Sequence, residues 1–136
     1  MKVFETRARV RYGETDASGI VYYASYFYFL YFEVGRVAMF RALSLPYDAR
    51  LPIAETTCRY RASARFNDHL AIHSFVQEIR SKGFVIGCRV HRITDTGDLE
   101  LLVEGHTGMV TTGADGRPEP LPPAFREALE AAAAGT

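Results

Sequence analysis

The densest chemical signal in the sequence lies in residues 11–26, Arg-Tyr-Gly-Glu-Thr-Asp-Ala-Ser-Gly-Ile-Val-Tyr-Tyr-Ala-Ser-Tyr. A carboxylate at Asp16, a glycine turn at Gly19 and the start of a helical period at Tyr22 follow one another within this stretch. That spacing puts Asp16 near a helix N-terminus, where unpaired backbone N–H groups and the positive end of the dipole stabilise negative charge. A plain cap explains the same residue types, with Asp16 or Ser18 closing the helix and Gly19 permitting the turn. Other chemistries lose their usual markers. His69, His73, His91 and His106 are scattered without an HExxH pattern, so no metal is expected. No GxxxxGK[ST] loop and no GxGxxG fingerprint occurs, which removes the common signatures of nucleotide hydrolysis and hydride transfer.

Several elements must position this corner. Residues 3–12 alternate between Phe4, Thr6, Ala8, Val10, Tyr12 and Glu5, Arg7, Arg9, Arg11, which reads as a strand with one wet face. Residues 13–19 are polar and turn-prone, and the period then becomes helical from 22 to 43, closed by Pro46 and Pro52. A helix of that length spans ~33 Å at 1.5 Å per residue, and its first half is apolar all round, as in a helix wrapped by other elements. Glu33, Arg36 and Arg41 are expected to mark its emerging end. A second alternating run covers 54–66, with Arg59, Arg61 and Arg65 on its wet face, followed by a turn at Asn67-Asp68. Strands over 70–79, 84–93 and 99–112 follow, separated by short turns, and a helix over 124–134 ends the chain. Such short links favour antiparallel hairpins over parallel crossovers. An antiparallel sheet curling around one central helix satisfies that helix, and a second copy is expected to cover what the sheet leaves bare.

Composition fits this α+β reading. The chain has 136 residues with 48% hydrophobic and 24% charged side chains, the profile of one globular domain, so residues 1–136 are expected to form a single unit. Sixteen basic side chains balance sixteen acidic ones, which argues against nucleic acid as partner. Residues 1–92 nevertheless carry fourteen basic against eight acidic groups, leaving room for a local anion site. Cys58 and Cys88 have no second pair for a CxxC site and are expected to be buried thiols. With no signal-peptide core the chain is expected to be cytoplasmic, and its longest apolar run, 20–32, is too short for a membrane span.

The motif from Asp16 through Gly19, Ile20-Val21 and Tyr22 to Tyr26 resembles that of the hotdog-fold acyl-CoA thioesterases of the 4-hydroxybenzoyl-CoA thioesterase and YbgC-like type. The likeness continues through Glu33 and Arg36, through Arg80-Ser81-Lys82-Gly83-Phe84, and to Arg117-Pro118 and Leu121-Pro122. It implies a hotdog fold, an antiparallel sheet wrapped around one long central helix. It also implies an enzyme that hydrolyses an acyl-CoA thioester, with Asp16 as nucleophile or general base and the backbone N–H of Tyr23 binding the carbonyl oxygen. Gly19, Tyr26, Thr57 and Tyr60 would bind the substrate, with Tyr23, Tyr26, Thr57 and Tyr60 as candidates to line an acyl pocket, while Arg80 and Lys82 would hold the phosphates of coenzyme A. Coenzyme A is then part of the substrate and no separate cofactor is expected. A homodimer is implied, with pairing into a homotetramer left open. Many YbgC-like members carry His where this chain has Tyr23, so a His-assisted route is closed at that position. Two rivals stand beside this reading: a hotdog-fold hydratase or dehydratase, and a non-catalytic module binding nucleic acid or another anion.

Overall fold

The structure is a computed structural model that describes residues 1–23, 31–45 and 51–135. Five strands form one antiparallel sheet: β1 (Phe4–Arg9), β2 (Ile53–Tyr60), β3 (His69–Arg80), β4 (Gly83–Ile93) and β5 (Leu99–Val110). Their order across the sheet is β1-β3-β4-β5-β2. The three long strands form the expected meander because two-residue and five-residue turns leave no room for a crossover. β2 departs from it. Instead of pairing with β3, it runs along the far side of β5, with Thr57 opposite His106 and Tyr60 opposite Val103. Both β1 and β2 are therefore edge strands.

β2 also stops earlier than its alternation suggests. After Tyr60 the N–H groups of Arg61 and Ala62 both donate to the carbonyl of Leu102, at 2.7 and 3.1 Å, which ends the regular ladder. The alternation past that point serves a different contact: Ala64 is fully buried, and its carbonyl accepts the N–H of Val21. The second half of the expected strand is thus the docking site of the 15–21 segment.

The described part of the central helix, α1 (Tyr31–Ala42), lies on β1, β3 and β4. The helical period expected from residue 22 does not start there, since the N–H of Tyr22 donates to the Glu14 carbonyl as part of the preceding hairpin, and residues 24–30 lie outside the described residues. Gly35 permits the closest approach, since a Cβ there would lie 2.4 Å from Ser74 Oγ and 2.9 Å from Ile72 Cγ2. Arg36 does not mark an emerging end as expected. It is only 8% exposed and makes a two-pronged bond to Glu33 at 2.8 and 2.9 Å, with its guanidinium 5.7 Å from the Phe40 ring. A paired, forked charge tolerates burial that a lone one would not. Arg41 is exposed as expected. The last helix, α2 (Pro123–Ala134), seats Phe125, Leu129 and Ala132 on the same sheet face, in a cluster with Met39, Phe40, Phe84 and Met109. Both helices thus lie on one face of the sheet.

Candidate active site

The Asp16 segment is a miniature hairpin. Thr15 bridges Val21, the N–H of Asp16 donates to the carbonyl of Ile20 at 2.9 Å, and the N–H of Gly19 donates to the carbonyl of Asp16 at 3.0 Å. Gly19 closes the turn at φ +79°, a left-handed conformation that an L side chain adopts only at a cost. The carboxylate of Asp16 accepts the N–H of Ser18 at 2.8 Å, so the plain reading holds in part: Asp16 caps this turn. Asp16 is nonetheless exposed, and it lines a groove.

That groove has a volume of about 430 Å³ and is lined by Asp16, Ile20, Val21, Tyr22 and Tyr23 on one side and by Tyr60, Arg61, Ala62 and Ser63 on the other. Three of the expected site residues, Asp16, Tyr23 and Tyr60, therefore come together although 37 residues separate the last two. The Tyr60 hydroxyl donates to the carbonyl of Tyr23 at 3.1 Å, and the two rings meet edge to face with centroids 6.5 Å apart. The wall from 61 to 63 is tied to the sheet by Arg92, whose guanidinium donates to the Ser63 carbonyl at 3.1 Å and to Asp68 at 2.6 Å, while Asp68 also accepts the N–H of Arg65. Arg61, pointing from this wall, pairs with Glu104 at 2.7 Å and holds that carboxyl below its usual range.

Other expected residues lie elsewhere. Tyr26 falls outside the described residues. Thr57 does not line the groove, because three residues along a strand reverse the side chain relative to Tyr60. It sits on the sheet face opposite the helices, hydrogen-bonded to His106 Nδ1 at 2.9 Å, with His106 Nε2 in turn 2.7 Å from Glu55. The hydrogen bond to His106 is the main reason the Glu55 carboxyl titrates low. Arg80 and Lys82 flank the tip of the β3–β4 hairpin as expected, both exposed. Arg80 pairs with Glu78 at 3.1 Å, and the turn is fixed by bonds from Thr111 N–H to the Lys82 carbonyl and from Leu121 N–H to the Ser81 carbonyl. Along β5 the register runs from Val103, opposite Tyr60, to Val110, opposite Gly83. At ~3.3 Å per residue this separates groove and cationic turn by about 23 Å within one chain.

Sequence reasoning missed two residues here. Arg126 of α2 donates to the Arg80 carbonyl at 2.8 Å, placing a third cation beside the turn. Glu14 is 5% exposed and ion-paired with Arg11 at 2.6 Å, a fate that a Glu in a polar turn does not announce. Cys88 is buried as expected, its thiol pushed up to about 12 by burial, whereas Cys58 is only half-buried because it lies on the edge strand. Among the described residues no three His, Cys, Asp or Glu side chains gather as a metal site would require, and no helix is long and apolar enough to cross a membrane. The rings of His73 and His91 lie 4.8 Å apart at a tilt of 55°, and burial, followed by the electrostatic influence of His73, keeps His91 below its ordinary range.

A five-stranded antiparallel sheet in the order β1-β3-β4-β5-β2 with its helices on one face is the hotdog arrangement. The structure of 4-hydroxybenzoyl-CoA thioesterase from Pseudomonas sp. strain CBS-3 shares it with a TM-score of 0.82, 24% identity and coverage of 94% of this chain and 99% of that one. A thioesterase-superfamily structure from Jannaschia sp. CCS1 matches with a TM-score of 0.83 and 26% identity, over 96% of this chain and 83% of that one. Residues 10–129 match the thioesterase-like superfamily, and the chain belongs to it. It is 31% identical to the acyl-CoA thioester hydrolase YbgC of Escherichia coli O157:H7 over 74% of this chain and 80% of that protein.

Proposed function

We propose that this chain hydrolyses an acyl-CoA thioester to the free acid and coenzyme A, with the reaction centred on Asp16. The observation that carries this reading is the meeting of Asp16, Tyr23 and Tyr60 in one groove of a chain from the thioesterase-like superfamily. The acyl carbonyl would lie between the Asp16 carboxylate and the Tyr23 N–H. That N–H stabilises the negative charge that develops on the carbonyl oxygen, and the carboxylate attacks the carbon or takes a proton from the attacking water. Either route breaks the C–S bond, and the thiolate takes up a proton as coenzyme A leaves. Water supplies the oxygen and hydrogen that complete the acid. The tyrosines around the carboxylate favour an acyl group with apolar or aromatic surface.

The phosphates belong at Arg80 and Lys82, where exposed cations on a fixed turn suit phosphate oxygens. With turn and groove about 23 Å apart, we place the substrate across a homodimer in which the turn of one copy serves the groove of the other. The hydratase reading loses support because no histidine is among the described residues lining the groove. The test is free-thiol release from a panel of aromatic and short- to long-chain acyl-CoA esters, comparing wild type with Asp16→Asn. Turnover of at least one ester, lost in the variant by a factor of a hundred or more, is the expected result. Absence of turnover for every ester, or a variant that keeps most of the rate, would reject the proposal.

A further inference from the structure

The groove depends on a buried carboxylate that it does not contain. Glu14 ends the short helical turn Tyr12–Glu14, two residues before Asp16. Its Oε1 accepts the N–H of Arg11 at 3.0 Å and the hydroxyl of Tyr31 at 2.9 Å, and its Oε2 accepts Arg11 Nε at 2.6 Å. Tyr31 is 1% exposed and opens the described part of α1, so this bond crosses from the entry segment to the helix inside the core. The backbone of Glu14 works on the other side of the same hairpin. Its carbonyl accepts the N–H of Tyr22 at 2.9 Å, one residue before Tyr23. One residue therefore grips the base of the hairpin that carries Asp16, the strand end that delivers Tyr23, and the helix beneath both. A charged, buried acceptor fixes direction more sharply than apolar packing, because each donor must meet it at a set distance and angle.

We propose that Glu14, anchored by Tyr31 and Arg11, is a positioning residue that sets where the Asp16 carboxylate and the Tyr23 N–H stand relative to one another. This rests on the catalytic reading of Asp16 given above, and its physical core, the fixing of the hairpin, is measurable without turnover. The test uses Tyr31→Phe, which removes one donor and keeps the ring, and Glu14→Gln, which keeps the shape and removes the charge. Amide hydrogen exchange over residues 15–23 should rise in both variants while exchange over β3 and β4 stays as in wild type. For esters that the wild type turns over, kcat should fall roughly ten- to a hundredfold, the scale of a small misplacement of reacting groups, with KM within about twofold. Unchanged exchange over 15–23 in both variants would overturn the proposal whatever the activity. So would looser exchange accompanied by wild-type kcat, since Glu14 would then stabilise without positioning. If the wild type turns over no ester, the catalytic reading of Asp16 fails, and the catalytic half of this proposal fails with it. The exchange arm then decides the structural half alone.

Discussion

Gly19 and Gly97 form a matched pair that separates backbone strain from its consequence for the site. Gly19 has φ +79° and Gly97 φ +87°, and at both positions an added Cβ would meet no atom within 4 Å. Alanine therefore introduces no clash at either position, and its cost is the left-handed conformation alone, about 1–2 kcal/mol. Gly97 closes the β4–β5 turn, where its N–H donates to the Thr94 carbonyl, and no residue of that turn is among those lining the groove. Gly19 closes the hairpin that bears Asp16. If each hairpin relieves the strain by opening locally, 1–2 kcal/mol shifts the local equilibrium by a factor of about 5–30. Gly19→Ala should then lower kcat/KM by up to that factor, while Gly97→Ala leaves it within twofold, although both lose a similar few degrees in Tm. Thiol-release kinetics on the most active ester, together with thermal unfolding of both variants, make the measurement. Equal losses of activity at the two positions would refute the local argument, because the effect would then be global. Full activity of Gly19→Ala with a normal Tm loss would show that the hairpin need not stay closed for Asp16 to work.

Three further outcomes follow from the structure. Arg80→Ala and Lys82→Ala should each weaken coenzyme A binding by a margin that shrinks as salt rises, measured by calorimetry at low and physiological ionic strength. Mixing Arg80→Ala/Lys82→Ala with Asp16→Asn and letting subunits exchange should restore hydrolysis if turn and groove come from different copies, and no recovery would place both in one chain. The thiols should differ in reactivity: with Cys88 pushed up to about 12 and 4% exposed, alkylation at pH 8 should reach Cys58 first, read by mass spectrometry of the digested protein. The sign is direct, since a raised pKa leaves less thiolate at any pH below it. Burial raises Cys58 as well, so its labelling should also be slow beside that of an unhindered thiol.

Much of this architecture is legible in the order of residues because strands and turns are local. The polar breaks at Ser81-Lys82 and 94–98 mark strand ends directly, whereas the alternation of residues 3–12 runs past the end of β1 at Arg9 into the helical turn Tyr12–Glu14; Gly19 identifies its turn through a conformational demand that belongs to the residue itself. The partner of β2 is not legible in this way. Its alternation says that one face is wet, and nothing in residues 53–60 distinguishes β3 from β5 as the neighbour. Proximity in sequence suggests β3, whereas the fold carries the strand to the far edge through the 61–68 segment.

That single crossover decides which expected residues meet. Because β2 lies at the edge and ends at Tyr60, its last side chain reaches Tyr23 and the segment after it walls the groove. Thr57, three positions earlier, is turned to the opposite face and joins His106 instead. Sequence reasoning grouped Thr57 with Tyr60 because both could line a pocket, but strand parity forbids two residues of odd separation from sharing a face. Glu14 was missed for the converse reason. Its burial comes from Arg11 and from Tyr31, seventeen residues on, and a carboxylate in a polar turn carries no local mark of a partner supplied by the helix. The residues that present Asp16 are thus readable from local pattern, whereas those that hold the presenting segment in place become visible only once the helix is laid on the sheet.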